Sequence, residues 1–250
     1  MITKGAIEKA KHYIESHTSR VEEGEFKNTT GPCITLSREA GAGAEVVGQL
    51  IIDMFSRFNR DNNHLWTMFD QNLIEKVLQD HNLPLRLSGA MEERKYSAVS
   101  SFMNEILGGQ PGTWSLFHKT NKTILQLAHM GYCIIVERGG NIITAKMDNC
   151  FHVRLIASKE DKIKHVMEIF SLDRKAAIEY INKEDENRKE FIQTYFHKNI
   201  EDPELYHLII NTSEFSYEKA ADLIYDTVMK NYSKYLNTDE VRTLKYVKSL

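Results

Sequence analysis

Apolar residues recur along the chain in two rhythms. At Val47, Leu50, Ile51, Met54, Phe55 and Phe58 they return every three or four positions, the spacing of one helix face. At CITL (33–36), YCIIV (132–136), FHVRLIA (151–157) and HLIINT (207–212) they form short β-prone runs instead, suited to strands. LWTMFD (65–70) adds a strand that ends in an acid and leads into the helical NLIEKVLQDH. Residues 3–19 set Ala6, Ile7, Ala10 and Ile14 on one side of a helix. The turn-rich VEEGEFKNTTGP then cuts this helix off, which makes it an appendage packed on the body or on a partner. Residues 86–130 read as mostly helical, with a break at GGQPG (108–112). Ser158 and Asp161 are spaced as a capping box before the charged helical stretch 159–196. Ser216 caps a last helix that carries Ala220, Leu223, Ile224 and Val228. Strands alternating with helices predict an α/β fold with a mostly parallel sheet covered on both faces.

Composition narrows the function classes without naming one. A chain of 250 residues fits one large domain, or one domain with a helical insertion. The net charge of −3 arises from mixed signs and carries no nucleic-acid footprint. No apolar run approaches the roughly 18 residues of a membrane span, and the charged N-terminus is unlike a signal peptide. Cys33, Cys133 and Cys150 are odd in number and sit in apolar settings, so free buried thiols and a cytoplasmic location are expected. The histidines lack metal-ligand spacing, and a zinc site is not expected.

The chemistry concentrates in ITLSREAGAGAEVVGQLI (34–51), a strand, a glycine-bearing loop and a helix. A helix N-terminus presents unpaired N–H groups and a partial positive charge, which suits phosphate. Gly41 and Gly43 would let the backbone curl close to an anion. The lysine and hydroxyl of the usual GxxxxGK[ST] loop are absent, and Ala44 and Glu45 stand there instead. A carboxylate in the first turn stabilises an empty helix by roughly 0.3–1 kcal/mol and repels phosphate, unless Glu45 or Glu137 serves as a Mg²⁺ ligand.

Ser37-Arg38-Glu39 and the glycine loop, Phe69-Asp70, IIVERGGN, FHVRLIASKEDKIKHVME, Asp185-x-x-Arg188, Asp-Pro-Glu-Leu-Tyr (202–206) and Ile-Asn-Thr-Ser (210–213) occur in an order and spacing that together are specific. Over about residues 33–230 the chain resembles the cytidylate kinase-like family of P-loop kinases, whose members stand without the loop lysine. The resemblance implies a three-layer P-loop nucleotide kinase fold over 31–232. Within it lie a helical acceptor-binding insertion at about 80–118 and a lid at about 171–200, with a helical extension and linker at 1–30 and a tail at 233–250. It implies transfer of the γ-phosphoryl of ATP, with Mg²⁺, to a nucleoside monophosphate such as CMP. Gly41, Ala42, Gly43, Ala44, Glu45 and Val46 would cradle the donor, with Arg38 as the cation and Asn211, Thr212 and Ser213 flanking the adenine. Asp70 and Arg138 would hold the acceptor, while Lys183, Asp185 and Arg188 would act from the lid.

Each candidate also has a plainer reading. Asp70 is equally placed to cap the helix after it, Arg138 to make a structural salt bridge with Glu137 or Asp70, and the lid to be a solvated charged helix. Two functions therefore remain open: a phosphotransferase, or a nucleotide-binding protein that kept the fold and lost catalysis. The N-terminal helix would suit the second, or a homodimer contact.

Overall fold

The computed structural model describes residues 4–22, 30–58, 65–79, 114–136 and 138–236. Its sheet has β1 (Cys33–Arg38) at the centre, with β2 (Thr67–Asp70), β3 (Cys133–Val136), β4 (Cys150–Ile156) and β5 (Leu208–Asn211) around it. The strand order is β2-β3-β1-β4-β5, and all of its pairings are parallel. Successive residues of β1, β3 and β4 are buried, so both faces of the sheet are covered, and this is why these strands read as continuous apolar runs. Parallel pairing also sends every strand's carboxyl end to one edge, where ligands gather in open α/β sheets. Arg38, Asp70, Arg138 and Thr212 all stand at or just past such ends.

Helix α1 (Lys4–Glu22) packs on the body, against β2 and α3, and adds side chains to the core. Ala10, Tyr13 and Ile14 have no exposure at all. The Tyr13 hydroxyl donates to the Gly131 carbonyl, and its ring meets Phe69 edge-on at 5.3 Å. A buried phenol needs such a partner, and α1 is placed by it. Helix α2 (Ala44–Phe58) turns its apolar stripe inward, with Val47, Ile51 and Phe55 in the core and Trp66 stacked on Phe55 at 4.0 Å. Helices α3 (Gln71–Gln79) and α4 (Trp114–Met130) pack on each other beside β2 and β3, and the short α5 (Gly140–Ile143) follows β3. Of the insertion expected at about 80–118 only 114–118 are described, as the start of α4, and of the tail expected at 233–250 only 233–236 are; the rest of both lies outside the described residues.

Two further helices rise from β4: α6 (Lys159–Phe170) and α7 (Arg174–Phe196). Ser158 caps α6 through the Asp161 N–H as its spacing predicts, and Asp173 caps α7 through the Ala176 N–H. Their facing residues Ile163, Val166, Ala177 and Ile181 form a small apolar cluster of their own that also takes in Ala40 of the loop. The expected lid is thus seated on the loop by packing as well as by charge. After β5, α8 (Tyr217–Asn231) starts on its expected Ser216 cap and packs along α2. Among the described residues no helix is long and apolar enough to cross a membrane.

Candidate active site

The loop between β1 and α2 runs from Glu39 to Gly43. Gly41 and Gly43 take φ of +85° and +79°, in the left-handed region that side chains rarely adopt. Neither has room for one: a Cβ on Gly41 would lie 2.8 Å from the Lys162 carbonyl, and on Gly43 2.3 Å from the Tyr217 ring. The loop is closed internally by the Ala42 N–H to the Glu39 carbonyl at 3.2 Å. It is tied to β5 by Thr212, whose Oγ1 lies 3.2 Å from both the Ala42 and Ile156 carbonyls. Ala42 therefore spends its amide within the loop and its carbonyl on Thr212. The backbone bonds of α2 begin with the Val47 N–H to the Gly43 carbonyl at 3.0 Å, so the amides of the first turn keep the unsatisfied state common to helix starts. They open on a cavity of about 120 Å³ bounded by Arg38, Glu45, Val46, His165, Tyr180 and Arg188, among others.

Charge is arranged around one carboxylate. Asp185, on α7, accepts from the Ala40 N–H at 2.6 Å, from Lys162 Nζ at 3.2 Å and from Arg188 Nη1 at 3.3 Å. Lys162 also reaches Glu39 at 3.2 Å, and Glu39 in turn accepts from the Ala157 N–H. Arg188 and Arg138 share Glu184, at 3.2 and 3.5 Å. These pairs bind loop, α6 and α7 into one network with half-buried side chains, where ion pairs count for more than on an open surface. One donor is left over: Arg188 is 9% exposed, and its Nε has no acceptor among the described residues. Burial pushes His165 below the usual imidazole value against the pull of Glu168 and Glu45, and pushes the Tyr180 hydroxyl up, with Glu184 adding to it. Both groups stay neutral at pH 7, so the positive charge lining this cavity comes from Arg38 and Arg188.

Most expected site residues gather here. Arg38 lines the cavity, with Gly41, Gly43, Ala44, Glu45 and Val46 along its loop side. Glu45 is solvent-exposed in the first turn of α2. Asp70 Oδ1 accepts from the Leu73 N–H at 2.7 Å, the capping role open to it. Lys183 is not brought in. It is exposed and lines neither this cavity nor its neighbour, because the helical repeat turns Glu184, Asp185 and Arg188 inward and Lys183 away. Glu137 lies outside the described residues, and no group of three metal-ligating side chains occurs among them. Sequence reasoning missed Lys162 and Glu184. Both lie in charge-rich helical stretches with several equivalent neighbours, and only the docking of α6 and α7 on the loop singles them out.

A parallel sheet of this order, with a glycine loop between its central strand and the following helix, defines the P-loop kinase fold. The chain belongs to the cytidylate kinase-like family, whose model matches residues 33–214. An uncharacterized protein from Eubacterium ventriosum shares the fold with a TM-score of 0.58 at 18% identity, over 79% of this chain and 97% of that one. Shikimate kinase from Bacteroides thetaiotaomicron is a looser likeness, with a TM-score of 0.44 at 11% identity over 79% and 98% of the two chains. A uronate isomerase of Corynebacterium glutamicum is 28% identical over 99 residues, which make up 40% of this chain and 19% of the isomerase. The chain thus spans about a fifth of the length of that curated relative.

Proposed function

We propose that this protein transfers the γ-phosphoryl of ATP to a small acceptor, a nucleoside monophosphate such as CMP being the first to try. The observation that carries the reading is the cavity where the free amides of the α2 N-terminus face Arg38 and Arg188. Main-chain amides and two guanidinium groups together supply what a loop lysine supplies elsewhere. The triphosphate would lie along Gly43–Val46, with Arg38 and Arg188 taking its charge. Thr212 would act through the loop it holds. Asp185 and Lys162 would position Arg188 and the loop without touching substrate. Asp70 and Arg138, at the ends of β2 and β3, would face the acceptor, and Arg138 is linked to the lid through Glu184. Phosphoryl transfer of this kind asks the protein chiefly for positioning and charge neutralisation. Mg²⁺, held mainly by the nucleotide's phosphates with Glu45 as a carboxylate in the cavity wall, would neutralise further charge when bound.

One observation favours a second reading, a nucleotide sensor without turnover: the Asp185 carboxylate already occupies the Ala40 N–H. A coupled assay of ATP consumption over a panel of monophosphates, run beside calorimetry with ATP and Mg²⁺, separates the two. Turnover with one monophosphate supports the kinase, binding without turnover supports the sensor, and absence of both overturns each. Arg38→Ala should weaken nucleotide binding by about tenfold or more, the loss of a charged hydrogen bond. Glu45→Ala should weaken it far less or tighten it. Equal or reversed effects would refute the role given to Arg38.

A further inference from the structure

Arg154 is a buried charge with no counter-charge beside it. It stands in the middle of β4 and is only 6% exposed. Its Nη1 donates to two neutral hydroxyls, Ser37 Oγ at 3.3 Å and Tyr206 Oη at 3.4 Å, both long for a cationic donor. Its guanidinium carbon lies 5.5 Å from the centre of the Tyr206 ring. Among the described residues no carboxylate comes within ion-pair distance of it. A buried ion without a partner is costly, and where the chain supplies no counter-charge a bound anion can.

Arg154 opens on a cavity of about 390 Å³ beneath α7, a volume in the range of small-molecule sites. Arg38, Lys162, Arg188 and Lys189 also line it. Of its acids, Glu39 and Asp185 are engaged by Lys162, and Glu186 and Glu201 lie at the exposed rim. Arg188 lines the same wall, and its buried Nε has no acceptor among the described residues. The geometry points to a second anion site here, anchored by Arg154 and assisted by Arg188, that takes a small oxyanion, either a phosphate or a carboxylate.

This site goes beyond the nucleotide reading and does not depend on it. It lies over β1 and β4, whereas Asp70 and Arg138 stand past β2 and β3 on the other side of β1. Arg38 and Arg188 line both cavities, so an anion in one changes the charge met by a ligand in the other.

The test is calorimetry on the full chain with inorganic phosphate and with malonate, each with and without a saturating non-hydrolysable ATP analogue. At least one anion should bind the wild type in the presence of the analogue. Arg154→Met should weaken that binding by about tenfold or more, while Arg154→Lys retains most of it. The Met variant, free of ligand, should melt no lower than the wild type, because an unpaired buried charge has been replaced by an apolar chain of similar length. Phosphate binding alone assigns a phosphate site, and malonate binding alone a carboxylate site. If Arg154→Met does not fold, the Arg154 Nε–H resonance of the wild type decides, since it should shift on adding the anion. Equal anion binding by wild type and Arg154→Met, an unmoved resonance, or no binding of either anion would overturn the proposal. Failure of the ATP analogue to bind would count against the kinase reading and leave this one standing.

Discussion

The amino end of β1 lies among thiols and aliphatic side chains, while its carboxyl end lies among ions. Cys33 is in register with Cys133 on one side and Cys150 on the other, and all three thiols are buried and free. Burial raises the Cys33 thiol well above its ordinary value, so it stays protonated and inert. Six residues on, Glu39, Lys162, Asp185 and Arg188 form a charged network around the loop. One strand thus joins a region that holds the molecule together to one that can hold a ligand. Parallel topology enforces the division, because every strand delivers its carboxyl end to the same edge. Substitutions should sort accordingly, with stability effects at one end and binding effects at the other.

The largest effect belongs to the apolar end. Ile34 has no exposure and sits in the central strand, so Ile34→Ala should cost about 2–5 kcal/mol of unfolding free energy, the range for deleting a large buried side chain. Denaturant melts measure this directly. Nucleotide affinity of the folded fraction should stay within about twofold, since the cavity faces the other end of the strand. A larger loss of affinity would show that the two ends are not independent.

One residue along, Thr35 Oγ1 meets His152 Nδ1 at 2.9 Å, and His152 stacks on His207 at 4.6 Å. Burial, and secondly the His207 charge, lower His152 from 6.5 to about 3. A histidine depressed in the folded state remains neutral there while the unfolded chain binds the proton. Its stability contribution is complete above pH 6.5 and is lost as pH falls from that value toward 3. The slope from this one group is about 1.4 kcal/mol per pH unit within that window. Unfolding titrations between pH 6.5 and 5, above most carboxylate titration, should give a steeper slope in the wild type than in His152→Gln, by up to this amount, the lowered His165 and His207 contributing to both. Parallel slopes in the two would remove His152 from the account.

Much of this division is legible in the sequence, and what is not has a common cause. The strands, α2 and the caps at Ser158, Asp70 and Ser216 follow from periodicity and from bonds spanning three residues. The glycines of the loop announce themselves, and φ of +85° at Gly41 is what such a residue is for. The fate of α1 hangs on Tyr13 reaching a carbonyl 118 positions away, which no local rule contains. Lys162 has Lys159 and Lys164 as near neighbours in the same helix, and only the docking of α6 brings its backbone against Gly41. Arg154 did leave a trace, as a charge inside the otherwise apolar strand FHVRLIA, where burial on both faces makes any ion an anomaly.

The smallest effect is also the sharpest probe of the charged end. Asp185 accepts the Ala40 N–H and holds both Lys162 and Arg188. Asp185→Asn keeps an oxygen for the amide but removes the charge that orders the two cations. With the side chain about 29% exposed, the stability cost should be about 1 kcal/mol, near the upper end for solvent-screened pairs. Binding and turnover should then move in opposite directions. On the proposed function, nucleotide affinity should rise several-fold, because a negative charge beside the loop is gone, while any turnover falls, because Arg188 loses the acid that positions it. Calorimetry for the first and single-turnover kinetics for the second separate the terms. If affinity instead drops by tenfold, Asp185 serves the nucleotide directly, and the charged end of β1 is built around the ligand instead of around this acid.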